Sequence, residues 1–229
     1  ISPLKLAKNH LDVGLYTNTI EASLVFWQDE VGLPFQELLP TGGGSRQHRH
    51  GLGGGILKIN ESREPMPTAS ATGIRELIVP TAKVSSPVQL HDPEGNAVTL
   101  VPARPGDAGI TIVLAASNLQ AARHHYGTAL GFESLGDNTF VCGETRIELQ
   151  HDPAQQPVGD MRAPGYRYLT VQVWDADKEF EAAVALGATP GMAPRTMGAV
   201  ARFGFVRDPD GNWLELSQRA SLTGPLPPN

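Results

Sequence analysis

A chain of 229 residues lies between one large domain and two small ones and is long enough to bury a sizeable core. An apolar fraction of 40% against 18% charged residues is that of an ordinary soluble globular protein, and no run approaches the ~20 apolar residues of a membrane span. The net charge of −6 offers no basic field to a nucleic acid or an acidic membrane, and the lone Cys142 excludes an intramolecular disulfide and a cysteine-based zinc site, which fits a reducing cytoplasm.

The opening stretch "ISPLKLAKNHL" lacks the uninterrupted apolar run of a secretory leader, so a cytoplasmic protein is expected. From Val13 to Phe35 the chain reads "VGLYTNTIEASLVFWQDEVGLPF". This is a short strand and then a helix, with Ile20, Leu24, Trp27 and Val31 at helical spacing and Gly32 suited to the left-handed position past its end. "SRQHRHGLGGG" places Arg46, His48 and His50 at alternate positions, so on a strand the three share a face. The neighbouring glycines let a loop approach a ligand closely. "GIRELIVP" (Gly73 to Pro80) is a strand, and "HDPEGNAVTL" (His91 to Leu100) joins two antiparallel strands. Its Asp and Pro suit the first positions of a type I turn, and its Gly and Asn tolerate positive φ.

The second half repeats these features. "ITIVLAASNLQAARHHYGTALGF" (Ile110 to Phe132) aligns without gaps at a constant shift of 99 residues, placing Gly131 where Gly32 stood. Leu119, Ala122, Tyr126 and Leu130 form its apolar stripe. "RIELQHDP" carries Glu148. "YRYLTVQVWD" (Tyr166 to Asp175) is a strand, followed by the helix "ADKEFEAAVALGA" with Phe180, Ala183 and Val184 on one stripe and Gly187 as its stop. "RDPDGNWLEL" closes the half with the same turn. Strand parity puts Trp213 and Glu215 on one face and Leu214 and Leu216 on the other. Glu76 and Thr99 are 23 residues apart, whereas Tyr168 and Glu215 are 47 apart, and the difference is about a helix with its loops. "PTAKVSSP" is too short and too proline-flanked to supply that helix. The Pro-rich end "TGPLPPN" reads as a loose tail.

Together, "IEASLVFWQDEVGLPF", its copy "LQAARHHYGTALGF" and the closing "DPDGNWLEL" resemble the vicinal oxygen chelate superfamily, which contains glyoxalase I, extradiol dioxygenases, fosfomycin-resistance proteins and bleomycin-binding proteins. The resemblance runs from about Leu11 to Leu216. It implies an α+β fold of tandem βαβββ units whose curved sheets enclose clefts. Two glyoxalase-like domains would then span 1–103, with a second unit lacking one helix, and 104–219, with 220–229 as a tail and "VPARPGDAG" as the linker.

The superfamily's metal positions lie on the first and last strand of each unit. They fall on Asp12, Lys58, Glu76 and Thr99 in the first half and on Thr111, Glu148, Tyr168 and Glu215 in the second. Glu148 and Glu215 are the candidate metal ligands, for iron, manganese, zinc or nickel, although no cofactor is required by residues that include no histidine. In the first half the Lys58 ammonium opposes a cation. The alternative is therefore a metal-free site with His48, Lys58 and Glu76 as catalytic residues and Asp12, Arg46, His50 and Tyr168 contacting substrate. Glu76 or His48 would move a proton while an arginine holds a carboxylate or enolate oxygen. Against this stands a solvated outer face for the histidine strand. Three functions follow from the resemblance: a lyase or isomerase of a small oxygenated anionic metabolite, a metal-dependent dioxygenase or glyoxalase-like enzyme, and a non-catalytic binding protein of the bleomycin-resistance kind. A small-molecule partner and a homodimer are expected in each.

Overall fold

The computed structural model describes residues 4–229; residues 1–3, where the stretch inspected for a leader begins, lie outside the described part. The chain opens with β1 (Leu6–Thr17) and α1 (Ile20–Leu24), which continues directly into a π-helical segment, Val25–Glu30. A meander of β2 (Phe35–Gly42), β3 (Ser45–Leu52) and β4 (Gly55–Glu61) follows, then β5 (Ile74–Thr81), β6 (Val88–His91) and β7 (Ala97–Pro102). The second half begins with β8 (Thr111–Ala116), α2 (Leu119–Arg123) and a second π-helical segment, His124–Ala129. It continues through β9 (Glu133–Gly136), β10 (Thr139–Cys142), β11 (Thr145–His151) and β12 (Gly165–Val173). The last elements are α3 (Ala176–Ala185), β13 (Thr189–Met197), β14 (Ala201–Arg207), β15 (Trp213–Arg219) and α4 (Ala220–Thr223).

The helices start and stop as their residues dictate. Asn118 and Asp175 cap α2 and α3 by accepting from the amides of Ala121 and Lys178. Gly32, Gly131 and Gly187 end the three helical stretches at φ of +88°, +68° and +107°, a region costly to other residues. No helix lies between β5 and β6, so the second unit is a trimmed βββ copy, as the shorter spacing implied.

The strands form two sheets, an 8-stranded one in the order β13-β14-β15-β12-β1-β4-β3-β2 and a 7-stranded one in the order β6-β7-β5-β8-β11-β10-β9. The repeats are thus nested. The first unit joins the fourth through antiparallel β1 and β12, with Asp12 opposite Thr170 and Gly14 opposite Tyr168. The second joins the third through β5 and β8. The expected boundary between residues 103 and 104 separates repeats along the chain, but each sheet takes strands from both sides of it. Pairing follows which first strands meet edge to edge in register, and order along the chain does not determine that.

The Asp-Pro-acid-Gly-Asn turns hold the sheets together. In each, the first aspartate accepts from two backbone amides of its own turn, Glu94 and Asn96 in one and Asp210 and Asn212 in the other. Its second oxygen takes the aromatic donor of a neighbouring unit's helix: Trp27 Nε1 reaches Asp92 at 3.3 Å and Tyr126 Oη reaches Asp208 at 2.9 Å. The asparagines then cross between sheets, Asn96 accepting from the Tyr166 amide and Asn212 from the Gly73 amide. Leu11, Val13 and Leu15 of β1, Ile112 and Leu114 of β8, and the helical Trp27 belong to one buried cluster. The backs of both sheets therefore share a core with the helices, and their other faces remain available for clefts. The C-terminal segment is docked: Asn229 Oδ1 accepts from Thr196 N, and Pro227 O from Thr196 Oγ1. The tail expected for 220–229 begins with α4 and touches β13 at Thr196.

Candidate active site

The cleft-facing side of the 8-stranded sheet encloses a cavity of about 530 Å³. Its floor is built from β1, β4, β12 and β15, where the pairing of first and fourth units brings Lys58, Tyr168 and Glu215 together. Lys58 Nζ donates to Thr170 Oγ1 at 2.8 Å and to Glu215 Oε2 at 3.0 Å, while Thr170 Oγ1 donates to the same carboxylate oxygen at 2.7 Å. Glu215 Oε1 makes no hydrogen bond among the described residues, and Glu215 lines the cavity.

Tyr168 is presented to the cavity as a donor. Arg49 can only donate, so the amide oxygen of Gln47 faces it (2.6 Å), and Gln47 Nε2 faces Asn60 Oδ1 (3.0 Å). Asn60 Nδ2 then donates to Tyr168 Oη at 3.1 Å and to the Leu15 carbonyl at 2.9 Å, which can only accept. The orientation of the whole relay is fixed from both ends. Tyr168 Oη, receiving from Asn60, keeps its own proton for a ligand. Burial, reinforced by Tyr16 and Glu215, holds the phenol well above its ordinary range, so it remains neutral. Gln172 donates to Asp12 Oδ2 (3.1 Å), and its Oε1 is buried at the cavity wall without a partner among the described residues.

The charge of the lining opposes that of the chain. Arg49, Lys58, Arg162, Arg195 and Arg219 line the cavity against the single carboxylate of Glu215, in a chain of net charge −6. Arg49 and Arg219 both contact Glu37 Oε1, at 3.0 and 2.6 Å. Arg162 and Arg195 are exposed at the mouth and form no ion pair among the described residues.

Other expected site residues lie elsewhere. Arg46, His48 and His50 do share a face, but it is the one turned away from the cavity. Arg46 and His48 both bind Glu61, at 2.9 and 3.0 Å, and His50 Nε2 lies 2.9 Å from Gln28 beside α1. The intervening Gln47 and Arg49 face the cavity instead. Glu76 is on the 7-stranded sheet, bonded to Thr99 Oγ1 and Gln89, and cannot act with Lys58. Glu148 is on that sheet too, in register with Val113 and so with Glu76, and does not meet Glu215. Asp12 is on the right strand but fully buried, its oxygens taken by Lys8, the Ile56 amide and Gln172. Cys142 is buried and its thiol is pushed up to about 12, so it offers no nucleophile.

The four metal positions that the resemblance implies for this cleft are Asp12, Lys58, Tyr168 and Glu215, and they do not fit a divalent ion. Lys58 has no lone pair to give and already occupies Glu215, Asp12 is saturated, and no histidine lines the cavity. Among the described residues no three His, Cys, Asp or Glu side chains are grouped to hold a metal.

The family model for the Glyoxalase/Bleomycin resistance protein/Dioxygenase superfamily matches residues 110–216. The C-terminal half is thus similar to this superfamily. Glyoxalase I from Zea mays shares the fold of nearly the whole chain, with a TM-score of 0.74 at 13% identity over 93% of this chain and 92% of that one. The cppA protein from Streptococcus pneumoniae TIGR4 is similar at a TM-score of 0.51 and 13% identity, over 95% of this chain and 100% of that one. At such identities the likeness is one of fold. No curated protein sequence matches the chain. The α+β arrangement of glyoxalase-like units therefore extends to the first half, beyond the segment the superfamily model covers.

Proposed function

We propose that this chain is a metal-independent enzyme of the glyoxalase-like fold, a lyase or isomerase of a small oxygenated anion, with Lys58 and Glu215 at its centre. The observation that carries the reading is the Lys58–Thr170–Glu215 cluster, all within 3.0 Å, at the floor of a cavity whose charged lining residues are all cations except Glu215. Glu215 accepts a proton from the substrate carbon through its open Oε1. Lys58 Nζ and Tyr168 Oη donate to the adjacent oxygen as it gains negative charge. Returning the proton to the neighbouring atom gives isomerisation; loss of a leaving group from the next carbon gives elimination. The arginines hold the substrate's permanent charge. Both walls of the cavity come from this chain. No described helix is long and apolar enough to cross a membrane, and the single buried thiol suits a reducing compartment.

Exchange of the α-proton of small α-hydroxycarbonyl compounds in D2O, followed by NMR on metal-stripped protein, tests this. Glu215→Gln should slow exchange at least ~100-fold, the usual size of a lost general base. Lys58→Met should slow it comparably. Exchange that appears only on adding a divalent ion would overturn the metal-independent reading. Saturable binding with no exchange would leave a ligand-sequestering protein, which the aromatic wall described below would also serve.

A further inference from the structure

Beyond the floor, the cavity carries an ordered row of rings. The Lys58 ammonium lies 5.6 Å from the centroid of Tyr168, whose ring is 6.0 Å from that of Phe205; Phe205 is 6.1 Å from Phe203, and Phe203 lies 5.8 Å beneath the guanidinium of Arg195. All five side chains line the same cavity, as does Trp213, 5.8 Å from Phe205. The row follows from the strands: Phe203 and Phe205 are alternate residues of β14, and Arg195 pairs with Phe203 across β13 and β14. It leads from the Lys58–Glu215 pair to an exposed cation, Arg195, without a carboxylate partner among the described residues. Met161 and Met192 add adaptable apolar surface to the same walls. A site for a very small polar anion alone has no use for this wall, and a neutral aromatic ligand has no use for the cation that ends it.

We infer that the ligand is an amphipathic anion: a flat apolar or aromatic body lying along Tyr168, Phe205 and Phe203, an oxygenated carbon centre at Lys58 and Glu215, and a carboxylate at the far end held by Arg195. The inference rests on the proposed use of the cavity but concerns recognition rather than chemistry. Arg195 and Phe203 are then specificity-determining residues. Arg162, also at the mouth, adds to the local field without defining the end point.

Two probes separate the parts: 4′-(2-hydroxyacetyl)biphenyl-4-carboxylate carries both ends on a body long enough for the row, and 4-(2-hydroxyacetyl)biphenyl lacks the carboxylate. Calorimetric titration should show the carboxylate probe binding roughly two- to fivefold tighter, in line with an exposed charge pair. That preference should shrink with added salt. Arg195→Gln should abolish the preference, bringing the two probes to the same affinity, and Phe203→Ser should weaken both probes. Equal affinities in the unaltered protein, a preference that survives Arg195→Gln, or binding of neither probe would overturn the inference. Proton exchange is read on the same samples. A carboxylate preference without exchange removes the proposed chemistry and leaves this recognition standing, and exchange without a preference does the reverse.

Discussion

Gly14 lies opposite Tyr168 on the neighbouring strand, and a Cβ added there would overlap Cε1 and Cζ of the tyrosine ring. The missing side chain is what lets the phenol lie across the cleft floor within reach of Asn60. Gly14→Ala should therefore displace Tyr168, destabilising the fold by ~1–3 kcal/mol through overpacking and weakening binding of the carboxylate probe. Adding Tyr168→Leu should restore the melting temperature but not the affinity; a Gly14→Ala protein that melts and binds like its parent would refute this role. Parity made the facing of Glu215 and Trp213 legible from sequence, and it correctly grouped Arg46, His48 and His50. It could not say which face of β3 meets the cavity, because both faces of that strand carry polar residues. The packing of Gln28 against His50 and the capture of Arg46 and His48 by Glu61 settle it. Thr170 and Gln172 share the parity of Tyr168, a signal present in the sequence, but their role depends on Lys58 arriving from a distant unit.

At the level of elements, the two aspartate turns are joints rather than chemistry. Asp208 accepts from the amides of Asp210 and Asn212, from the Asn212 side chain and from Tyr126 Oη, all buried. Burial raises its carboxyl above the ordinary range despite these donors. Asp208→Ala would leave several buried donors unpaired and should cost ~2–4 kcal/mol in urea unfolding, against ~1 kcal/mol for Tyr126→Phe, which removes a single bond. Similar losses for the two variants would show that the turn does not act as a hub. Helix starts and stops were legible because caps and glycines are local. The π-helical segments were not: Val31 N bonds Phe26 O and Leu130 N bonds His125 O, one residue further back than in an α-helix. Over so short a stretch, apolar spacing does not distinguish the two windings. Both segments sit at the same place in the two copies, at the 99-residue shift.

For the whole molecule, the nesting of repeats decides which residues can meet in one cleft. Order along the chain sets Lys58 with Glu76, and Glu215 with Glu148, as neighbouring units of one half. In fact the outer units share one sheet and the inner units the other. The family positions were legible; their grouping was not, since strand pairing between units is a long-range property that no local pattern encodes. A chain cut between residues 103 and 104 should consequently yield two fragments that are each poorly folded alone, with β1 and β12 left as unpaired edges, but that reassemble when mixed. Circular dichroism of each fragment and of the mixture checks this, and two independently cooperative fragments would contradict it.

The same nesting bears on how the protein is made. As the chain leaves the ribosome, β5 can meet β8 early, whereas β1 must wait for β12, α3 and β15 before its cleft exists. Its pairing spans most of the chain, a separation that slows folding and leaves a long edge exposed meanwhile. A stalled or prematurely terminated product could carry a formed inner sheet and still lack the Lys58–Glu215 pair. Ligand binding would then report that translation had reached its final strand.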